Sequence, residues 1–352
     1  MDSQTLLFIA VVLTVATAVL LVFFRRRMKP GVATTEEEAD GDRRQEAIAA
    51  WRLGRTSAER GENRRAIEYF EQYLAIAREI GDRYVEAHAT SNLSSVYKSL
   101  GETHRAMELY EELLTITREI GERRGAAIAT SNLGFIYEKL GETRRAIGYY
   151  EEHVAIVREI GDRRGEALTL GQLGLAYTTL GETRRAIELF ERQLAIAREI
   201  GDRCGEGIAS GNLGFAYTTL GETRRAIELY ERQLAIAREI GDQFSEGVAS
   251  GNLGLAYTAL GEPRRAIERY ERQLAIAREV DDRRGETNAL WNLGLALENL
   301  GELGRAVEVM QVCIDYEREI GHPDAEKDEV YVESLRARSR SGGSAPQTTA
   351  VP

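Results

Sequence analysis

The chain has 352 residues, is 43% hydrophobic and 29% charged, and carries a net charge of −11. An acidic balance excludes the basic stripe that nucleic-acid binding requires, and five prolines leave room for helix almost everywhere. The two cysteines, Cys204 and Cys313, stand at unrelated positions, so neither a disulfide framework nor a zinc site is expected.

The first element is apolar. Leu6 to Phe24 reads LLFIAVVLTVATAVLLVFF, interrupted only by Thr14 and Thr17. These 19 residues would form a helix of about 28 Å, close to the ~30 Å hydrocarbon core of a bilayer. Arg25, Arg26, Arg27 and Lys29 follow it, and no basic side chain precedes it. The positive-inside rule predicts a single transmembrane helix over 6–24, residues 1–5 outside and the rest cytoplasmic. A cleaved signal peptide would carry its positive charge ahead of the apolar run. Residues 25–42 supply a basic flank and then Pro30, Gly31 and a glutamate run with no apolar period, which predicts a flexible linker.

Beyond the linker the chain is repetitive. Leu-Gly recurs at 100–101, 140–141, 180–181, 220–221, 260–261 and 300–301, so residues 41–320 divide into seven units of 40. Each unit holds two helices. In the third, the first helix is predicted over about Arg124 to Leu140, with a packing stripe of Thr130, Leu133, Tyr137 and Leu140. Tyr217 holds the corresponding place two units on. Gly134 leaves room for the second helix to approach, and Gly141 ends the first with a left-handed cap. Thr143 is read as the N-cap of the second helix, whose stripe is Ala146, Ile147, Tyr150, Val154 and Val157. Asp162 is read as the cap of the next unit, and Pro263 is tolerated where a helix has just begun. Arg52 and Ser57 break the pattern in the first unit, which suits a polar end. Residues 321–338 predict a closing helix after Pro323, and 339–352 a disordered tail.

The pattern L-G-x-x-Y followed by A-x-x-x-[YF] resembles the tetratricopeptide repeat. The phrase GNLGxAYTxLGExRRAIExYExxLAIAxEIGD resembles the long variant in Pins-type scaffolds and, less closely, in kinesin light chains. The resemblance implies an all-α fold: a right-handed superhelical solenoid of seven such hairpins behind the transmembrane helix, with the first helices of the units lining the concave wall. No G-protein-binding segment follows the repeats, so the Pins cellular role is not implied.

Chemistry is sparse. There is no phosphate-binding loop, and His88, His104, His153 and His322 are scattered along the chain without metal-ligand spacing. Glu188–Arg192, Glu228–Arg232 and Glu268–Arg272 read as i, i+4 pairs on a solvated face. Neither catalysis nor a cofactor or metal is expected. The first-helix face opposite the packing stripe is more informative. It carries Asn92, Asn132, Asn212, Asn252 and Asn292, and beside them Phe135, Leu175, Phe215 and Leu255. Carboxamides pair with both N–H and C=O of an extended peptide, and the apolar column takes its side chains. In the proteins resembled, the corresponding asparagines grip ligand backbone. Bonding between neighbouring helices is the competing explanation. The fourth to sixth units lack the Lys/Arg cluster with which some tetratricopeptide domains hold a terminal carboxylate; the only lysines near the groove, Lys98 and Lys139, stand at one end. These features predict a membrane-anchored scaffold that binds a peptide or helical segment of a cytosolic protein. The alternative is a sensor module for a small or peptide signal.

Overall fold

The computed structural model describes residues 35–341, and every element among them is an α-helix. The fifteen helices are α1 Thr35–Glu59, α2 Asn63–Glu79, α3 Arg83–Ser99, α4 Thr103–Ile120, α5 Arg123–Lys139, α6 Thr143–Glu159, α7 Arg163–Thr179 and α8 Thr183–Glu199, then α9 Arg203–Thr219, α10 Thr223–Ile240, α11 Gln243–Ala259, α12 Pro263–Glu279, α13 Arg283–Leu300, α14 Leu303–Glu319 and α15 Ala325–Arg340.

Three sequence expectations change here. Among the described residues no helix is long and apolar enough to cross a membrane, and residues 6–24 lie outside the described residues. The fold class is corrected to an all-α array of hairpins, with no membrane-spanning helix among the described residues. Residues 35–42 of the expected linker belong to α1, which begins at Thr35, and residues 25–34 lie outside the described residues. The breakers that suggested a linker, Pro30 and Gly31, lie before that point, and no proline follows until Pro263. The expected tail lies outside the described residues from 342 onward, while Ser339 and Arg340 belong to α15.

The chain divides into two compact units, residues 1–89 and 90–352. In the first, α1 and α2 form a hairpin. A Cβ at Gly54 would lie 2.7 Å from Phe70 Cδ1, so glycine is what lets α2 come this close. His88 accepts or donates a 3.1 Å hydrogen bond with Tyr73 Oη and tilts against Trp51 at 5.7 Å. Ser57, expected at a polar end, is buried.

In the second unit, consecutive helices pack in order from α4 to α15. The same device joins four successive hairpins: Gly134 faces Tyr150, Gly174 faces Phe190, Gly214 faces Tyr230 and Gly254 faces Tyr270. These aromatic rings are at most 3% exposed. Turns close on glycines such as Gly141 at φ +75, where a side chain would be strained. Asp162 caps α7 by accepting from Gly165 N at 2.8 Å. Thr143, by contrast, is the first helical residue of α6; the N-cap position belongs to Glu142, which makes no side-chain cap bond. Pro263 opens α12, where its missing N–H costs nothing. At the far end Val332 and Leu335 of α15 cover Leu303, Met310 and Ile314 of α14.

Candidate functional site

Four first helices of the second unit repeat one surface. Spacing of four and then three residues puts Ile128, Asn132 and Phe135 on one face of α5, opposite the buried Leu133, Ile136 and Tyr137. The same face carries Leu168, Gln172 and Leu175 on α7, Ile208, Asn212 and Phe215 on α9, and Val248, Asn252 and Leu255 on α11. The apolar members are 39–53% exposed and the carboxamides half-buried between them. Residues 167–179, 207–219 and 247–259 contain no charged side chain, in a chain that is 29% charged. At α5 the face opens into a cavity of about 500 Å³ lined by Arg124, Ile128, Asn132, His153, Val157 and Ile160 among others.

The five asparagines of the predicted column are not equivalent. Asn132 donates to the Ile128 carbonyl at 2.8 Å and accepts from Lys98 Nζ at 2.7 Å. Asn212 donates to Gln193 Oε1 at 3.4 Å. Asn92 and Asn252 are half-buried on their helices. Asn292 sits where the pattern changes: Trp291 stands 6.0 Å from the ring of Tyr331, and Leu295 packs on the cluster that α15 covers. Tyr331 Oη donates to Glu298, and Arg338 pairs with the same carboxylate at 2.5 Å. The exposed face therefore spans α5 to α11 and is closed at α13.

A second carboxamide column was not read from the sequence. Gln193, Gln233 and Gln273 reach from α8, α10 and α12 and lie flat on Gly171, Gly211 and Gly251, where a Cβ would stand 2.8 Å from each Nε2. These glycines are small because an amide fills their space. Buried Gln233 Oε1 and Gln273 Oε1 have no hydrogen-bond partner. The signal available in the sequence was a paired change: Ser131 replaces glycine in the unit where His153 replaces glutamine. His153 instead bonds Thr169 Oγ1 at 2.7 Å; burial holds its imidazole below the ordinary range, against an upward pull from Asp162.

The charged residues are also rearranged. Arg232 pairs with Glu206 and Arg272 with Glu246, each 26 residues earlier, in place of the i, i+4 partners Glu228 and Glu268. Glu206 is buried and collects Arg198 and Arg203 as well; Glu166 collects Arg158 and Arg163. A carboxylate taken out of water needs such compensation. Arg198 and Arg158 belong to the preceding unit, so the clusters tie each hairpin to the next. Among the described residues no group of His, Cys, Asp and Glu is placed to hold a metal ion.

Stacked two-helix units with capped turns, glycine-to-ring contacts and one repeated exposed face define a helical-repeat protein. The family model for the tetratricopeptide repeat matches residues 45–119, 125–199, 165–239, 205–279 and 245–316, and the chain belongs to that family. No curated protein matches it. Among solved structures it is similar to BtubC (BKLC) from P. vanneervenii, at 21% identity and TM-score 0.51 over 71% of this chain and 94% of that one. It is similar to a Pyrococcus horikoshii Signal Transduction ATPase with Numerous Domains that has a tetratricopeptide repeat sensor, at 18% identity and TM-score 0.62, covering 80% and 44%. The quorum sensor NprR from B. thuringiensis is similar at 17% identity and TM-score 0.57, covering 87% and 83%. At such identities the likeness is one of fold.

Proposed function

We propose that this chain is a protein-interaction scaffold whose α5, α7, α9 and α11 faces bind an extended segment of a partner polypeptide. The observation that carries this reading is the repeated trio of exposed apolar residue, carboxamide and exposed apolar residue in an uncharged band. Covering one such apolar side chain contributes about 1–2 kcal/mol at ~25 cal/mol per Å². The carboxamides donate to and accept from ligand backbone, so they hold a segment without demanding a particular side chain. A strand-like ligand offers that backbone; a helical one has already paired it.

The test is photo-crosslinking from the full chain, with benzoylphenylalanine in place of Phe215 in the band and, as control, in place of the exposed Glu228 on α10. A polypeptide captured from position 215 and not 228, and displaced by a synthetic copy of its own crosslinked segment, supports the reading. Capture from both positions alike, or from neither, rejects it. Capture of a small molecule in place of a polypeptide favours a signal sensor.

A further inference from the structure

The exposed face is not uniform, and the departure lies at α5. Four residues of the chain are lysines, against 46 basic residues in all. Two of the four, Lys98 and Lys139, converge on the exposed ring of Phe135, with Nζ atoms 5.7 and 5.3 Å from its centroid. Arg124 stands at the other end of the same helix, where it lines the cavity beside Ile128 and Asn132; Asp162, which also lines it, accepts from Gly165 N at 2.8 Å. None of these three cations pairs with a carboxylate among the described residues; Lys98 is held instead by the neutral Asn132 oxygen. The neighbouring acids are committed elsewhere, Glu138 accepting from Tyr150 Oη at 2.6 Å and Glu142 pairing with Arg145 at 2.8 Å. On α7, α9 and α11 the place of Lys139 is taken by Thr179, Thr219 and Ala259. Arg164, in the place of Arg124 on α7, lies 3.6 Å from Asp202. Along the exposed face from α5 to α11, the cations without a carboxylate partner are therefore gathered at α5 and at the adjacent Lys98 of α3, in a chain of net charge −11.

We propose that the α5 end of the face receives acidic side chains, Asp or Glu, of the same partner segment whose apolar residues lie over α7, α9 and α11. This rests on the groove reading above. Arg124 and Lys139 are separated by 15 residues of helix, about 22 Å at 1.5 Å rise. One carboxylate cannot serve both, so the ligand carries more than one negative group, which a chain terminus does not supply. The charge also does what the apolar contacts cannot. The uncharged stretches of α7, α9 and α11 present nearly the same residues, so apolar contacts alone leave a bound segment free to slip by one repeat. A cationic patch at one end fixes register and direction, since opposite charges select among alignments that are otherwise of equal energy.

The experiment is a selection on the full chain from a library of random 16-residue segments with fixed sequence on both sides, so that no free terminus is offered. The expected binders are apolar, with Asp or Glu clustered toward one end. For one such binder, Lys98→Gln with Lys139→Gln is expected to raise Kd roughly tenfold, the effect of losing a charge-assisted contact, and to abolish the acidic preference while the apolar one stays. Phe215→Ala with Leu255→Ala is expected to weaken every binder and leave the acidic preference intact. Apolar binders with no acidic preference, or an acidic preference that the lysine variant keeps, overturn the inference and leave the groove reading standing. A selection that returns no binders, or binders indifferent to Phe215→Ala with Leu255→Ala, overturns both. A parallel library with a free C-terminus separates the sources: acid needed only as the terminal carboxylate rejects the side-chain assignment.

Discussion

Asn212 Nδ2 stands 3.4 Å from Gln193 Oε1, so one carboxamide of the exposed column touches a carboxamide buried between helices. At that length the bond is weak. Replacing Asn212 and Asn252 together by Ala is expected to leave the helical circular dichroism intact and to lower stability by less than about 1 kcal/mol. The same variant is expected to weaken a groove-bound segment by about 1–3 kcal/mol per lost carboxamide, since ligand backbone groups are left unpaired. Calorimetric titration with a crosslinked segment measures this. Unchanged affinity, or a variant that unfolds, assigns the column to the fold.

Packing makes a sharper demand. Tyr230 is 3% exposed, and a Cβ on Gly214 would lie 2.5 Å from its Cε1. Gly214→Ala must displace the ring and is expected to cost roughly 1–3 kcal/mol. Tyr230→Ala leaves a cavity and is expected to cost about 3–5 kcal/mol. Tyr217, which the sequence places in the packing stripe, is only half-buried, with the Arg225 guanidinium 5.5 Å from its ring. Tyr217→Ala is therefore expected to cost less than Tyr230→Ala in urea unfolding; equal costs would contradict this difference in burial.

The hairpins, their turns and the exposed face were legible in the sequence because each rests on a local requirement. A left-handed turn at Gly141 or a ring pressed on Gly134 accepts hardly any other residue, and it recurs every 40 residues. Partner choice among long polar side chains was not legible. Glu228 and Arg232 are favourably spaced on one helix, yet Arg232 turns to Glu206 because a buried carboxylate has more to gain than a solvated one. The glutamine column read as ordinary polar positions of amphipathic helices, and only the packing shows Gln193 against Gly171. Phe135 was visible as an exposed aromatic, whereas Lys98, a repeat away, meets it only in three dimensions.

One turn departs from the glycine rule. Asp281 adopts φ 56, a left-handed conformation that the other closing turns give to glycine, as at Gly241. Aspartate tolerates that region better than most residues but is still strained by its Cβ. Asp281→Gly is expected to stabilise the chain by roughly 0.5–1 kcal/mol and to raise its thermal midpoint; a lower midpoint would contradict this.

The two thiols should differ in reactivity. Cys204 is exposed, while Cys313 is 1% exposed and donates to the Thr287 carbonyl at 3.4 Å. Burial, with Glu317 and Asp328 nearby, pushes the Cys313 thiol up to about 12. Since the thiolate is the reactive form, a disulfide reagent near pH 8 is expected to modify one thiol per chain quickly and the second only on unfolding. Cys204→Ser should remove the fast phase; two fast phases in the wild type would show that Cys313 is accessible.

Acid should loosen the junctions between hairpins. Burial by itself raises the Glu206 carboxyl, but the hydrogen bonds from Arg198 and Arg203, with the charge and hydrogen bond of Arg232, outweigh it and leave the group below its ordinary value of 4.5. A carboxyl whose folded value lies below its unfolded one contributes stability that is complete above the unfolded value. That contribution disappears as pH falls through the folded value. The wild-type thermal midpoint is therefore expected to drop more steeply than that of Glu206→Gln on acidification from about pH 5 to about pH 3. Near neutrality Glu206→Gln is expected to cost about 1–3 kcal/mol. The loss stays modest because the three arginines are 40–43% exposed and remain solvated without their partner. Glu246 has the same arrangement with Arg238 and Arg272 and also lies below its ordinary value, so the variant should retain part of the acid limb. Parallel acid limbs for wild type and Glu206→Gln would mean that Glu206 titrates like a solvated carboxylate and that its three arginines do not lock one hairpin to the next.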